Sequence, residues 1–312
     1  MHPALSIVFF TTASGAGFAL LTLTGIAVPL GLLPSNPGFG ALTLMTAGLL
    51  AVAGLLSSTL HLGRPERAWR AFSQWKTSWL SREGVLSVAA FIPAAVFAVG
   101  WVIFGRVGGV SGLCGVLAGA LAVGAVYCTA MIYRSLKPIR QWHNRWVVPN
   151  YFALALMSGL LLLDLIVRFW ARPVAILALT IVVIAVAWWL KESYWRFIDT
   201  ASAPSTVASA TGLGRRGPVR MLEPPNTEEN YLLKEMGFRI ARKHRLRLRL
   251  VVRVAGFAVP LLATLAALMG LLPLLAALLA ILSAALGLVV ERWLFFAEAK
   301  HTVMLYYGAE TV

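Results

Sequence analysis

The sequence predicts an all-α membrane protein, a bundle of eight transmembrane helices. Hydrophobic residues make up 59% of the 312 residues and charged residues only 12%, about half the charged fraction of an ordinary soluble domain. Eight stretches stay apolar over the roughly 20 residues that a helix needs to cross the hydrocarbon core. None of them alternates with the period of two that is typical of transmembrane β-strands. We therefore expect one integral-membrane domain over residues 1–312.

The predicted helices follow in chain order. They span Ala4–Leu33, Phe39–Leu62, Gly84–Gly105, Gly112–Tyr133, Trp146–Val167, Pro173–Leu190, Leu250–Met269 and Leu272–Phe296. The first is long enough to be tilted or to end early. Its start lacks the positive segment and cleavage pattern of a signal peptide, so we expect it to be retained.

The only long connection, residues 191–249, separates helices six and seven. Residues 200–218 are rich in Ser, Ala, Thr, Gly and Pro, which predicts a flexible linker. Asn226 or Thr227 then suits the N-cap of a helix whose first turn holds Glu228 and Glu229. We expect an amphipathic basic helix over residues 226–249 that leads into helix seven.

The positive charge lies at one end of the predicted bundle. The chain has 27 Lys and Arg against 12 Asp and Glu, a net charge of +15. Because successive helices alternate in direction, both chain ends and the three longest loops share one end, which we call the basic face. Every Lys and Arg lies there except Arg106, Arg168 and Arg172. The positive-inside rule places this face and both termini in the cytoplasm, in a bacterial inner membrane. We expect lipid contact and no nucleic-acid partner.

The histidines and cysteines argue against a metal centre in this chain. All five histidines lie at helix ends or in loops of the basic face; they are His2, His61, His143, His244 and His301. A b-type haem needs axial ligands, usually from within the helices, so we expect no haem. Cys114 and Cys128 are separated by about 21 Å of helix and are too few for a zinc or iron–sulfur site.

Few ionisable residues fall inside the predicted helices. Asp164 precedes Arg168 by one turn, and we interpret them as an i,i+4 pair near the membrane edge, although a further role for Asp164 stays open. Glu291 and Arg292 lie near the end of helix eight, where we expect long side chains to reach the interface in a structural role.

The loop between helices two and three contains the densest chemistry. His61 ends one helix and Glu83 begins the next, so both are predicted at interface depth on the basic face. Between them, aromatic residues recur every three to four positions, which predicts an interfacial amphipathic helix; they are Trp69, Phe72, Trp75 and Trp79.

This loop suits the headgroup of a lipid-soluble quinol. A histidine can accept a proton that quinol oxidation releases, and a nearby carboxylate can orient the imidazole or take the proton onward. Arg64 and Arg82 would stabilise negative charge on the headgroup. The alternative is that His61, Arg64 and Arg67 cap helix two and contact lipid phosphate, while Glu83 stabilises the N-terminus of helix three through the helix dipole.

Several motifs resemble those of the dimethyl sulfoxide reductase membrane-anchor subunit family. The resemblance covers essentially the whole chain. The motifs are MHPALSIVFFTT, HLGRPERAWRAF, SWLSREG, MIYRSLKPIRQWHN, LEPPNTEENYLLKEMGFRIARKH and ERWLFFAEAKHTVMLYYG.

The resemblance implies the integral-membrane subunit of an anaerobic respiratory reductase. Its partners would be an iron–sulfur subunit with four [4Fe–4S] clusters and a molybdopterin catalytic subunit. It implies that this chain binds menaquinol without haem, with His61 and Glu83 as its quinol-site residues. A purely structural anchor and a secondary transporter remain alternatives, and the sequence leaves open the terminal substrate, the direction of electron flow and the side on which the partners dock.

Overall fold

The computed structural model describes residues 5–62, 64–200, 205–223, 225 and 239–307, with only the backbone at His61 and at residues 239–243. This part of the chain is helical and contains no strand. Eight of its helical segments are long and apolar enough to cross a membrane. The predicted fold class is therefore confirmed.

The helices are numbered here in chain order. They are α1 (Leu5–Ala27), α2 (Pro37–Ser57), α3 (Trp79–Ala98), α4 (Gly109–Arg134), α5 (Val147–Val167), α6 (Val174–Thr200), the short α7 (Val207–Thr211), α8 (Arg239–Val251), α9 (Val259–Leu268) and α10 (Pro273–Ala297). A π-helical turn at Val252–Ala258 joins α8 to α9, so these two form the seventh span, His244–Leu268. A second π-helical turn, Val99–Ile103, extends α3.

Several helix ends differ from the predicted ones; for example, α3 begins at Trp79 rather than Gly84. Helix α1 ends at Ala27 rather than Leu33, and α6 continues past Leu190 to Thr200. Helix α6 continues because its last turns are still packed: Tyr194 and Trp195 are fully buried there. Of the linker predicted over residues 200–218, residues 201–204 lie outside the described part, and the rest contains α7 and a 3₁₀ turn at Leu213–Arg216. Of the basic helix predicted over 226–249, residues 226–238 lie outside it.

Helices α1 and α5 form the centre of the bundle. In each of these two helices, 67% of the most apolar 18-residue segment is buried, against 28–44% of the corresponding segment in the other spans. One hydrophobic core lies among α1 to α5 and a second among α5, α6, α9 and α10. Helix α5 contributes to both cores, and α1 packs against α2, α4 and α5, so the two cores adjoin each other in the described part.

Small residues allow the closest helix contacts. A Cβ on Gly25 of α1 would lie 2.3 Å from the carbonyl oxygen of Gly115 on α4, and one on Gly287 would lie 2.2 Å from Gly256. Gly119 lies four residues after Gly115 on α4, and its carbonyl accepts a hydrogen bond from Thr22 Oγ1 of α1 at 3.2 Å. The Gly115-x-x-x-Gly119 motif of α4 therefore forms the contact with α1 that such motifs favour.

Candidate functional site

The loop between α2 and α3 lies over the start of α3. After a 3₁₀ turn at Ser58–His61, the predicted amphipathic helix is present as a 3₁₀ helix, Pro65–Gln74. Trp69, Phe72 and Trp75 are exposed, as expected for side chains at a lipid interface. The ring of Phe72 also lies against Gly84, where an added Cβ would meet it at 3.1 Å.

The two predicted arginines occupy different positions. Arg82 donates from Nε to the Trp75 carbonyl at 3.0 Å and from Nη2 to the Lys76 carbonyl at 2.6 Å. Its guanidinium also lies 4.4 Å from the centre of the Trp79 ring. Arg82 therefore holds the end of the loop against α3, whereas Arg64 is exposed. The side chain of His61 lies outside the described part of the chain.

Glu83 lies in the first turns of α3 and is only 4% exposed. Thr129 of α4 donates a short hydrogen bond to Glu83 Oε1. The Thr129 hydroxyl also lies 3.0 Å from the carbonyl oxygen of Ala125, one turn earlier in α4. Among the described side chains, no cation lies within ion-pair distance of this carboxyl group. A buried carboxyl group without a counter-charge is costly when ionised, so Glu83 is suited to holding a proton.

A small polar cavity borders Thr129 between α1, α4, α5 and α10. Its volume is about 30 Å³, enough to hold at least one water molecule. Tyr151 and Arg292 also line it. Tyr151 Oη and Arg292 Nη1 are buried and have no well-formed hydrogen bond in the described part of the chain, although the two side chains interact with each other. The cavity therefore offers two buried donors to an acceptor atom.

Arg292 also belongs to a buried ion cluster with Lys191 and Glu291. Lys191 Nζ donates to Glu291 Oε1, and Arg292 Nε donates to Glu291 Oε2 at 2.5 Å. All three side chains are at most 4% exposed, so the expectation that Glu291 and Arg292 reach the interface is wrong. They face inward because the end of α10 packs against α5, where the Arg292 guanidinium lies 4.2 Å from the centre of the Tyr151 ring. Two positive charges share one negative charge here.

A second group of ion pairs joins α6, α8 and the end of α10. Arg249 donates to Asp199 Oδ2 at 2.5 Å and to Glu298 Oε1 at 2.7 Å, and Arg253 donates to Glu192 Oε1 at 2.6 Å. Burial raises the pKa of Glu298 above its ordinary value, and the nearby Arg249 partly opposes that shift. These pairs fix the start of the seventh span against its neighbours.

The Asp164–Arg168 pair at the opposite end of the bundle matches its predicted geometry. Arg168 Nη2 donates to both carboxylate oxygens of Asp164, at 2.8 and 2.9 Å. Asp164 is buried, and its neighbour one turn later supplies the counter-charge, so the i,i+4 interpretation is confirmed.

Sequence reasoning missed Thr129, Tyr151 and Lys191. Thr129 and Tyr151 lie in apolar stretches, and nothing in one sequence distinguishes them from packing residues. The apolar pattern predicts a helix end at Leu190, which places Lys191 in the long loop. The available signal was the run of aromatic residues around it, which includes Tyr194 and Trp195 and favours a buried continuation of α6.

Comparisons with known proteins agree with the family resemblance. A family model described as "DMSO reductase anchor subunit (DmsC)" matches residues 1–308. A sulfite dehydrogenase subunit of Allochromatium vinosum is 35% identical over 327 aligned positions, which cover 98% of this chain and 99% of the relative. No solved structure matches the chain. The family match covers nearly the whole chain, and the described part has eight helices long and apolar enough to span a membrane; this chain belongs to the DMSO reductase anchor subunit family.

Proposed function

We propose that this membrane anchor subunit exchanges electrons and protons with a quinone beneath the loop that joins α2 to α3. The observation that carries the proposal is Glu83, a buried carboxyl group with no counter-charge among the described side chains, hydrogen-bonded to Thr129 beside a polar cavity. Menaquinol is the quinol that the family resemblance implies. Its oxidation gives menaquinone, two protons and two electrons.

In this proposal, His61 and Glu83 accept the protons. Both are the residue types that transfer protons when their pKa values are tuned by their surroundings. The electrons pass to an iron–sulfur subunit with four [4Fe–4S] clusters and from there to a molybdopterin catalytic subunit. Arg82 positions the loop over the site, and Arg64 remains available to a headgroup or to lipid phosphate.

The opposite direction of electron flow is the second candidate. The relative in Allochromatium vinosum is named a sulfite dehydrogenase subunit, and a dehydrogenase takes electrons from its substrate. If this chain serves such a complex, electrons arrive from the iron–sulfur subunit and the quinone takes up two electrons and two protons to become quinol. The same two residues would then supply the protons.

We also propose that the basic face lies in the cytoplasm of a bacterial inner membrane, where the partner subunits dock on it. The excess of Lys and Arg at this face supports the orientation through the positive-inside rule. It also supports docking, since complementary charge guides association between subunits.

The test uses the whole complex, reconstituted with its partner subunits. His61→Ala and Glu83→Gln should each slow quinol-driven turnover by about two orders of magnitude, the lower end of what a general acid or base contributes. Glutamine preserves the acceptor for Thr129 and removes only the ionisable group. Turnover with an artificial soluble donor should not change. Glu66→Gln, which alters an exposed acid in the same loop, is the matched control.

Three outcomes would overturn the assignment. Full quinol activity in both variants would exclude this site, and a purified complex without quinone and without quinol activity would indicate a purely structural anchor. Uptake of a solute by vesicles containing this chain alone would favour a transporter. Running the reaction with reduced and with oxidised quinone decides the direction.

A further inference from the structure

A lipid-facing cleft lies between α1, α4 and α5. Its volume is about 400 Å³, within the range of ligand sites that bury a small molecule. Its walls are almost wholly apolar and include Phe18 of α1 and Phe152 of α5. Val123 and Leu156, which also line it, are 42% and 36% exposed. The cleft therefore opens sideways, toward the hydrocarbon of the membrane.

The cleft adjoins the polar cavity described above. Val126 and Ala155 line both spaces, so these two side chains form their common boundary. On one side of the boundary the walls are apolar and open to lipid. On the other side lie Thr129 and Arg292, which are buried in the bundle. A molecule that enters from the membrane would thus meet mainly apolar walls, with Thr22 as the one polar side chain among the described residues that line the cleft, and would meet charged groups at the inner end.

The free donors in the cavity belong to Arg292 and Tyr151. The four Ser and Thr hydroxyl groups that α1 and α5 contribute to the lining donate to carbonyl groups of their own helices at 2.6–3.0 Å; they are Thr11, Thr12, Ser14 and Ser158. Apart from an interaction with each other, Arg292 Nη1 and Tyr151 Oη have no such partner in the described residues. Unpaired buried donors are costly, and the neighbouring ion cluster leaves positive charge in excess. The site therefore favours an oxygen acceptor that gains negative charge.

We infer that the cleft and the cavity together form the quinone-binding site. The ring and the start of the isoprenoid tail lie in the cleft, and one ring oxygen points between Val126 and Ala155 toward Arg292 and Tyr151. A quinone combines an apolar ring with oxygen atoms at its edge, whereas an acyl chain carries no oxygen at this depth. Since Thr129 borders the cavity and binds Glu83, that oxygen lies beside the proposed proton acceptor. The inference rests on the proposed function and specifies where its substrate binds.

The first test narrows the cleft without disturbing the core. Val123→Trp places a large ring at the mouth of the cleft. The control, Val116→Trp, makes the same change two turns away on α4, at a residue that does not line the cleft and that is 43% exposed, nearly as much as Val123. In the assembled complex, Val123→Trp should raise the KM for quinol about tenfold, as overpacking of a ligand site does. Val116→Trp should leave KM unchanged, and both variants should retain activity with the soluble donor. Equal KM values in the two variants would overturn the inference.

The second test addresses the polar end. Arg292→Lys keeps the positive charge beside Glu291 but removes the free Nη1, so the KM for quinol should rise while activity with the soluble donor is retained. Arg253→Lys, which alters an arginine paired with Glu192 away from the cavity, is the matched control. An unchanged quinol KM in Arg292→Lys would remove Arg292 from the site.

The third test locates the bound quinone directly. An azido-naphthoquinone with an isoprenoid tail, photolysed in the intact complex, should label α4 near Val126 and α5 near Phe152, and Val123→Trp should abolish that labelling. Labelling confined to residues 61–83 would show that the quinone does not bind in the cleft but would leave the proposed function intact. Labelling suppressed by added phospholipid but not by unlabelled quinone would make the cleft a lipid site. Normal quinol activity in His61→Ala and Glu83→Gln would overturn the proposed function whatever the label shows.

Discussion

The charge balance of the Lys191, Glu291 and Arg292 cluster predicts an asymmetry between two substitutions that each remove one charge. Glu291→Gln leaves Lys191 and Arg292 buried together without a counter-charge. Removing one partner of a buried ion pair typically costs about 3–5 kcal/mol, and two like charges remain here, so the upper part of that range is expected. Lys191→Met leaves the Arg292 Nε to Glu291 Oε2 contact of 2.5 Å intact and the cluster neutral.

For Lys191→Met two effects nearly cancel. The variant loses one charge-assisted hydrogen bond, worth about 1.5–3 kcal/mol. It also no longer buries an ammonium group, whose removal from water costs several kcal/mol, and methionine fills a similar volume. We therefore expect a change of about 1 kcal/mol or less, in contrast to the large loss in Glu291→Gln.

Thermal unfolding in mild detergent, followed by tryptophan fluorescence, measures this difference. A loss of 3–5 kcal/mol corresponds to a fall in Tm on the order of 10 °C, whereas Lys191→Met should stay within a few degrees of the wild type. Lys137→Met and Glu66→Gln alter exposed side chains and serve as charge-matched controls. If Lys191→Met is destabilised as much as Glu291→Gln, the cluster contains more than two positive charges and one negative charge, and Lys191 neutralises a second acid.

Two further predictions concern packing and pH. Gly25→Ala should lower the free energy of unfolding by about 1–3 kcal/mol because its Cβ would lie 2.3 Å from the Gly115 carbonyl oxygen. Gly48→Ala should be neutral because a Cβ there would have no neighbouring atom within 4 Å. Equal Tm values for the two variants would contradict the close contact. Burial raises the pKa of Glu298 above 4.5, so the folded chain binds the carboxyl proton more tightly than the unfolded chain does. The resulting stabilisation is complete below pH 4.5 and is lost as pH rises through the pKa of the folded state. Profiles of Tm against pH should therefore show the wild type falling relative to Glu298→Gln over that interval, and parallel profiles would refute the shift.

The sequence predicted the eight spans because hydrophobicity over about 20 residues is a local property. It also predicted the Asp164–Arg168 pair, whose members lie one helical turn apart. Lys191 and Glu291 are 100 positions apart, and Glu83 and Thr129 are 46 apart. Such pairs depend on which faces of different helices meet.

The faces that meet are set by contacts that are equally non-local. The backbone of Gly25 approaches Gly115, and that of Gly256 approaches Gly287. The Gly115-x-x-x-Gly119 motif of α4 favours a close helix contact but does not indicate which helix makes it. The error at Glu291 and Arg292 has the same origin: a position near a helix end predicts access to the interface only when no neighbouring helix covers it, and α5 covers this one.

The distribution of buried charge bears on the choice between a quinone site and a purely structural anchor. Apart from the Asp164–Arg168 pair, the buried acidic and basic side chains of the described chain lie in the half of the bundle beneath the basic face; they are Glu83, Lys191, Arg249, Glu291, Arg292 and Glu298. Well-packed apolar residues often stabilise a fold as well as buried ion pairs do, so anchoring alone does not require this arrangement. A Lys191→Met variant that is as stable as the wild type but oxidises quinol slowly would show that this charge serves the substrate, whereas full stability with full activity would favour the structural interpretation of the cluster.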